Sequence, residues 1–309
     1  MALSPLEVPP RASQSRGPDD LGIVMGGGGA RAAYQVGFLR CLARLFPELS
    51  VPYITGVSAG AINAALLASH DGTFLQATRE LSGLWENLRV QDVFRTDTRA
   101  LLGNGINWLR QLVSGGIGKQ RLVKGLVDTQ PLLTYLTEAL DCSDGKLTGV
   151  QSNLDRGRLR AFAISTTSYS TGQSVTWIQG RDVQLWERPQ HQTRTATIGV
   201  EHIMASSALP MFFPAARMEN SWYGDGGIRL MSPLSPAIHL GARRIIAIST
   251  RYGARPGEPR EPEYPPPAQV LGVLLNSIFL DFLDHDATRL NRINELISAL
   301  PEDLSLIHI

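Results

Sequence analysis

Cysteine is scarce in this sequence. Cys41 and Cys142 are the two present in 309 residues, too few for a disulfide framework, so reduced thiols in a cytoplasm are the expectation. Charge imbalance is also missing: 29 Lys and Arg stand against 28 Asp and Glu, a net charge of +1. That argues against a nucleic-acid partner. No apolar run reaches the roughly eighteen residues of a membrane-spanning helix. Residues 1–20 are rich in proline, serine and charge and lack an apolar core, which excludes a secretory signal. A disordered leader is expected there, with structure starting near Gly22. Internal repeats are absent as well. With 43% hydrophobic residues, the rest of the chain suffices for one large α/β domain.

Two kinds of site are absent too. No glycine loop ends in Gly-Lys-Ser/Thr, so there is no P-loop. The six histidines, His70, His191, His202, His239, His285 and His308, form no metal-ligand spacing with carboxylates, which argues against a metallohydrolase. The sequence assigns no cofactor, no metal and no oligomeric state.

What is present begins with Gly56-Val57-Ser58-Ala59-Gly60. Val51–Thr55 before it reads as a short buried strand, and Ala59–Ala68 after it as a helix of small residues. A serine on a sharp strand-to-helix turn is lifted clear of the backbone, and flanking residues without a bulky Cβ allow close approach. The second feature is Gly26-Gly27-Gly28-Gly29-Ala30-Arg31, between the apolar strand Leu21–Met25 and a helix from Ala32. Successive glycines at a helix start can turn several N–H groups toward one anion. A dinucleotide fingerprint fits poorly: Ala32 stands where its third glycine belongs, and Glu48 precedes the second strand instead of ending it. With a candidate nucleophile one strand away, the oxyanion of an acyl-transfer intermediate is the better occupant. Each such donor lowers a barrier by about 3 kcal/mol.

The third feature is Asp225-Gly226-Gly227, lying between the apolar segments Met211–Ala216 and Ile245–Ile248. In isolation this is an ordinary turn. Projecting from a core strand, however, the carboxylate could serve as base for Ser58 without an imidazole. A Ser-His-acid triad remains an alternative, with His239 and His285 as its candidates.

These three motifs, in this order and at these separations, resemble the patatin-like phospholipase family, above all its bacterial members. The likeness runs from about Leu21 to about Asn291. It implies a single three-layer α/β/α domain with a mostly parallel central sheet. The activity it implies is that of a lipid acyl hydrolase of phospholipase A type, using a Ser–Asp dyad. Ser58 would be the nucleophile and Asp225 the proton acceptor. Backbone amides of Gly27, Gly28, Gly29 and Ala59 would form the oxyanion hole. Arg31, Gly56, Gly60, Gly226 and Gly227 fill supporting motif positions. Ala32 departs from the family's usual glycine, at a helix start where alanine is acceptable. The implied partner is a lipid or acyl-ester substrate, met in the cytoplasm or peripherally at the inner face of the membrane. Two other readings stay open: a triad esterase or thioesterase of α/β-hydrolase type, and a non-catalytic lipid-binding protein on the same fold.

The remaining pattern organises the chain around those motifs. Residues 158–167 and 174–178 read as paired strands turning at Thr171-Gly172-Gln173. Residues 195–208 read as a helix ended by Leu209-Pro210, and the family resemblance places Ala205–Phe213 near the site. Leu101 to Val127 is amphipathic, with Trp108 and a flank of Lys119, Arg121 and Lys124; a lid or crossover helix and a lipid-docking piece are both open. Arg255 to Pro267, with six prolines, reads as a surface loop. Val270 to Leu283 is apolar almost all round, which predicts burial. Residues 292–309 are expected to be a tail. Leu304–Ile309 reads either as a translated library adapter closing a fragment of a longer gene, or as a short apolar tail.

Overall fold

The computed structural model describes residues 20–95, 125–251, 264–279 and 281–299. Residues 1–19 of the expected leader, residues 101–124 of the amphipathic stretch, residues 255–263 of the proline-rich loop and the tail from 300 onward lie outside them.

The sheet is built around β1 (Leu21–Met25), an apolar strand buried along its whole length. Burial of all five residues means both faces are covered, the situation of a parallel strand between two helical layers. Alternate residues confirm it. Ile23 and Met25 enter one core with Val36, Leu39 and Leu66, whereas Val24 enters another with Leu234, Ala237 and Leu283. β2 (Tyr53–Val57) and β8 (Arg244–Ile248) flank β1, both parallel to it. β3 (Ala161–Ser168) runs parallel to β2, then antiparallel to β4 (Ser174–Gly180), which pairs in parallel with β5 (His191–Thr195). The order is β5-β4-β3-β2-β1-β8, with β6 (Ala216–Met218) and β7 (Ser221–Asp225) joined off this path. The expected α/β/α layering and mostly parallel sheet are what the chain forms.

The first helical layer carries α1 (Ala32–Leu45), α2 (Ala59–Ser69), α3 (Phe74–Asn87), the short α4 (Val90–Val93), α5 (Gln130–Ala139) and α6 (Thr148–Asp155). α1 buries Ala32, Gln35, Val36, Leu39 and Ala43, the spacing of one helical stripe. α2 is buried on nearly every side, which its alanines permit in so tight a space. α7 (Val200–Ser206) follows β5, and α8 (Ser235–Leu240) precedes β8. α9 (Pro267–Phe279) and α10 (Asp281–Ala299) close the described chain.

Several expected boundaries shift. β2 starts two residues later than the apolar pattern indicates and so runs directly into Ser58. The helix expected over 195–208 is confined to Val200–Ser206, because Thr195 pairs with Ile178 in the sheet. α10 continues unbroken across the expected boundary at 291–292. The all-round apolar stretch is a correction: Val270, Val273 and Leu274 are exposed, and among the described residues of α9 burial is only partial and confined to its other side.

Candidate active site

Ser58 occupies the single residue between β2 and α2. Its backbone is held at φ 56 and ψ −135, a region that costs a non-glycine residue about 1–3 kcal/mol. Surrounding backbone enforces the turn. A Cβ at Gly60 would run into the carbonyls of Met25 and Gly26, and one at Gly56 would stand 2.7 Å from Ala64 Cβ and Gly60 O. Gly60 therefore lets α2 lie directly against the end of β1, and Gly56 lets β2 lie directly against α2. The turn is also held through hydrogen bonds. Ser58 N–H donates to Ser206 Oγ (3.0 Å), whose hydroxyl donates to Ser165 O (2.7 Å). Ser58 O accepts from Ala61 N–H (2.9 Å) and Ser207 Oγ (3.1 Å).

Asp225 ends β7 and is wholly buried. Ser58 Oγ donates to its Oδ2 at 2.6 Å, and Gly227 N–H donates to its Oδ1 at 2.8 Å. The backbone is fixed too: Asp225 N–H donates to Ala208 O (3.0 Å), and Thr167 Oγ1 donates to Asp225 O (2.8 Å). Burial lifts the carboxyl from its usual acid range to about 7, with the Ser58 and Gly227 hydrogen bonds pulling the other way. A carboxylate so placed holds a proton far more readily than one in water. Gly226 is required sterically, since a Cβ there would strike Ser165 O.

The glycine loop follows β1 and passes beside Ser58, where a Cβ on Gly27 would lie 3.0 Å from Ser58 Cβ. Its carbonyls are tied to protein donors. Gly26 O accepts from Gln35 Nε2 (2.8 Å), Gly27 O from Thr250 Oγ1 (2.8 Å), and Gly28 O from Arg31 N–H (3.2 Å). A trans peptide points its N–H opposite its C=O, so these three bonds also set the directions of the Gly27, Gly28 and Gly29 amides. The bonds at Ser58 O do the same for Ala59 N–H. Gly28 has φ 146, and a Cβ there would strike the Thr250 side chain.

Gly28, Gly29, Ser58 and Ala59 line one end of a cavity of about 580 Å³. Beyond them its wall is mostly aliphatic and aromatic: Ile62, Leu66, Trp85, Phe94, Leu136 and Phe213 are examples. Two polar groups in this wall are turned into the protein. Trp85 Nε1 donates to Asn63 Oδ1 (2.8 Å), and Tyr135 Oη donates to Leu84 O (3.0 Å). Arg31, also on the lining, donates to Asn276 of α9.

A family model described as Patatin-like phospholipase matches residues 23–238, more than half of the chain. The chain belongs to the patatin-like phospholipase family. Calcium-independent phospholipase A2-gamma of Rattus norvegicus is 25% identical to this patatin-like chain over 222 residues. The match covers 70% of the chain and 25% of that protein, so the chain spans about a quarter of its relative's length. Among solved structures, VipD of Legionella pneumophila is similar with TM-score 0.40 and 16% identity, over 68% of this chain and 46% of VipD. Human GIVD cytosolic phospholipase A2, solved with methyl gamma-linolenyl fluorophosphonate and terbium chloride, gives TM-score 0.27 and 19% identity, over 50% and 22% of the two chains.

The patatin-like motifs thus converge: Ser58, Asp225 and the glycine loop share one site, with Gly56, Gly60 and Gly226 as its steric supports and Gly227 as a hydrogen-bond donor to Asp225. The triad candidates do not join them. His239 accepts from Arg188 Nη2 (2.7 Å) and stacks on Trp186 with ring centroids 4.5 Å apart. His285 is exposed on α10. Among the described residues no three His, Cys, Asp or Glu side chains gather as a metal site, and no helix is long and apolar enough to cross a membrane.

Sequence reasoning missed the supports. Ser206 and Ser207 lie in a segment credited with proximity alone, yet they grip Ser58 from both sides of its peptide. Thr250 was not singled out. A signal for it existed: it lies just beyond the end of β8, and sites in parallel sheets form outside the carboxyl ends of the strands.

Proposed function

We propose that this chain is a lipid acyl hydrolase, cleaving carboxylic esters of long-chain lipids with Ser58 as nucleophile and Asp225 as general base. The observation that carries the reading is the 2.6 Å hydrogen bond from Ser58 Oγ to Asp225 Oδ2 at one end of an apolar cavity. The cavity is suited to an acyl chain because its wall is mostly aliphatic and aromatic, and the Trp85 and Tyr135 polar atoms in it already have protein partners. Membership of the patatin-like phospholipase family supports the same substrate class.

In the first half-reaction Ser58 Oγ attacks the ester carbonyl carbon while its proton passes to Asp225 Oδ2. The carbonyl oxygen becomes an oxyanion, received by amides of the Gly27–Gly29 loop and of Ala59. Such fixed donors need no reorganisation as charge develops. The intermediate collapses, the carbon–oxygen bond to the alcohol breaks, and Asp225 returns its proton to the departing alkoxide. An acyl-serine ester remains. Water then attacks this ester as Asp225 takes its proton; a second oxyanion forms and collapses, and Ser58 leaves with the proton. The products are an alcohol, such as a lysolipid, and a free fatty acid. A base with a pKa near neutrality suits both proton transfers.

Labelling wild type and Ser58→Ala with a fluorophosphonate, alongside a screen of phospholipids and short acyl esters, tests the reading. Labelling of the serine and hydrolysis that both vanish in Ser58→Ala are expected. Ester turnover in Ser58→Ala at the wild-type rate defeats the proposal. If activity survives Asp225→Asn but not His239→Asn, the base is the imidazole of a triad.

A further inference from the structure

Helix α9 carries apolar residues toward both the protein and the solvent, and no charge at all. Within Pro267–Phe279 there is no Asp, Glu, Lys, Arg or His. Its inner side supplies Leu275 and Asn276 to the cavity lining. Its outer side exposes Val270 (46%), Val273 (63%) and Leu274 (55%), spaced as one helical face. A helix apolar on two sides has a second apolar environment to meet.

Exposed apolar side chains also stand on α1, whose start a hydrogen bond joins to α9. Arg31, at the start of α1, hydrogen-bonds Asn276. Tyr34 and Phe38 follow Arg31 at positions i+3 and i+7, hence on the same side of α1, and both are exposed. Exposed side chains from two helices therefore flank the Arg31–Asn276 contact, whose two residues both line the cavity. α9 also packs on the Gly226–Ile228 turn that follows Asp225. It touches both halves of the site.

We infer that the outer face of α9, with Tyr34 and Phe38 of α1, docks on a lipid surface and brings the cavity beside the acyl region. The inference rests on the acyl-hydrolase reading for its occupant. An acyl chain has to travel from a bilayer to Ser58, and an apolar rim next to the cavity shortens its exposure to water. A second copy of the chain seated on the same face would instead cover the Arg31–Asn276 edge. Because α9 has no charge, docking proceeds through apolar insertion and does not require anionic lipid.

Co-sedimentation with phosphatidylcholine vesicles tests this. The double variant Val273→Asn with Leu274→Asn alters two exposed positions that do not line the cavity. Its vesicle-bound fraction is expected to fall by about fivefold or more, given how steeply interfacial binding follows buried apolar area. Its hydrolysis of vesicle lipid falls in parallel, while hydrolysis of a water-soluble short-chain ester stays within about twofold of wild type, reporting an intact fold and site. Val270→Ser, a milder change on the same face, gives a smaller loss in the same direction. Wild-type binding that persists in about 0.5 M salt is expected, since salt screens charge and not apolar contact.

Unchanged vesicle binding by the double variant overturns the inference, as does binding that salt abolishes. A wild-type dimer that the double variant splits, with vesicle binding intact, assigns the face to self-association and also overturns it. Running the assay in a Ser58→Ala background separates this surface from the chemistry. Binding that depends on Val273 and Leu274 supports the surface even if no ester is cleaved. Ester hydrolysis with variant-insensitive binding removes the surface and leaves the hydrolase reading standing.

Discussion

Val57 and Asp225 occupy consecutive rungs on one edge of β3, Val57 opposite Ser165 and Asp225 opposite Thr166. β2 arrives at that edge parallel to β3, and β7 arrives antiparallel. The two strands meet end to end, and Ser58 follows one where Asp225 closes the other. Residues 167 positions apart in sequence thereby come within 2.6 Å.

Strain at Ser58 separates two substitutions that both remove the hydroxyl. Each is expected to lower turnover by at least about three orders of magnitude. Ser58→Gly also relaxes a backbone at φ 56, ψ −135, which holds about 1–3 kcal/mol. Glycine should therefore melt several degrees above Ser58→Ala in a calorimetric scan. A glycine variant melting below the alanine variant contradicts the strained turn.

Asp225 sets the pH response of both activity and stability. As the proposed general base it must be ionised, so kcat/KM should rise with pH through about 7 and then level off. Stability moves the other way. The folded carboxyl binds its proton more tightly than the unfolded one, whose value is the ordinary 3.8. The stabilisation from that proton is complete below the unfolded value and is lost as pH climbs through about 7. Asp225→Asn has no such proton to lose. Relative to wild type it should gain stability between pH 4 and pH 8, by up to about 4 kcal/mol, while its turnover drops by roughly two to four orders of magnitude. Denaturant titrations at the two pH values check the sign.

Glycines of the site differ in what they do. Gly60→Ala drives a Cβ into the carbonyls of Met25 and Gly26 and should cost more than about 3 kcal/mol or abolish folding. At Gly29 nothing lies within 4 Å, so Gly29→Ala meets only its positive φ of 56, a cost of about 1 kcal/mol. Gly28→Val strikes the Thr250 side chain and is expected to lower kcat more than it raises KM, because amide donors act chiefly in the transition state. Melting curves rank the first two variants, and steady-state kinetics test the third. A normal kcat in Gly28→Val removes the oxyanion role from this loop.

Ser206→Ala strands two buried groups at once, Ser58 N–H and Ser165 O. Each unmade bond costs about 1–3 kcal/mol, so a fall in melting temperature is expected. A drop in kcat should accompany it as the turn loses its anchor. Ser206→Thr, which keeps the hydroxyl, should recover part of both. Loss of stability with unchanged kcat would limit Ser206 to a structural role.

The three motifs were legible in the sequence because each is local. A serine between a strand and a helix, four glycines after a strand, and an aspartate before two glycines all declare themselves within a few residues. So did β1, whose five residues match the apolar run. The grip of Ser206 and Ser207 was not legible, because it depends on where α7 ends relative to β2, nearly 150 positions earlier. Strand ends were misjudged for a related reason. Gly56 and Val57 look like turn residues, but pairing with Ile164 and Ser165 draws them into the sheet. The outward face of α9 misled in the opposite sense: composition reports that residues are apolar, not which side the protein covers.

The end-to-end meeting of β2 and β7 also sets when the site comes into being. A chain synthesised from its N-terminus offers the Ser58 hydroxyl early, yet the carboxylate arrives only with residue 225 of 309. During that interval β3 carries a vacant rung at Thr166, and on the proposed mechanism the nascent protein possesses a nucleophile without a base. On that mechanism lipid hydrolysis cannot begin on the ribosome before most of the sheet has been made. By the same logic, two separately expressed pieces divided in the loop between β5 and α7 would each be inert, and their reassociation would be read directly as the appearance of activity.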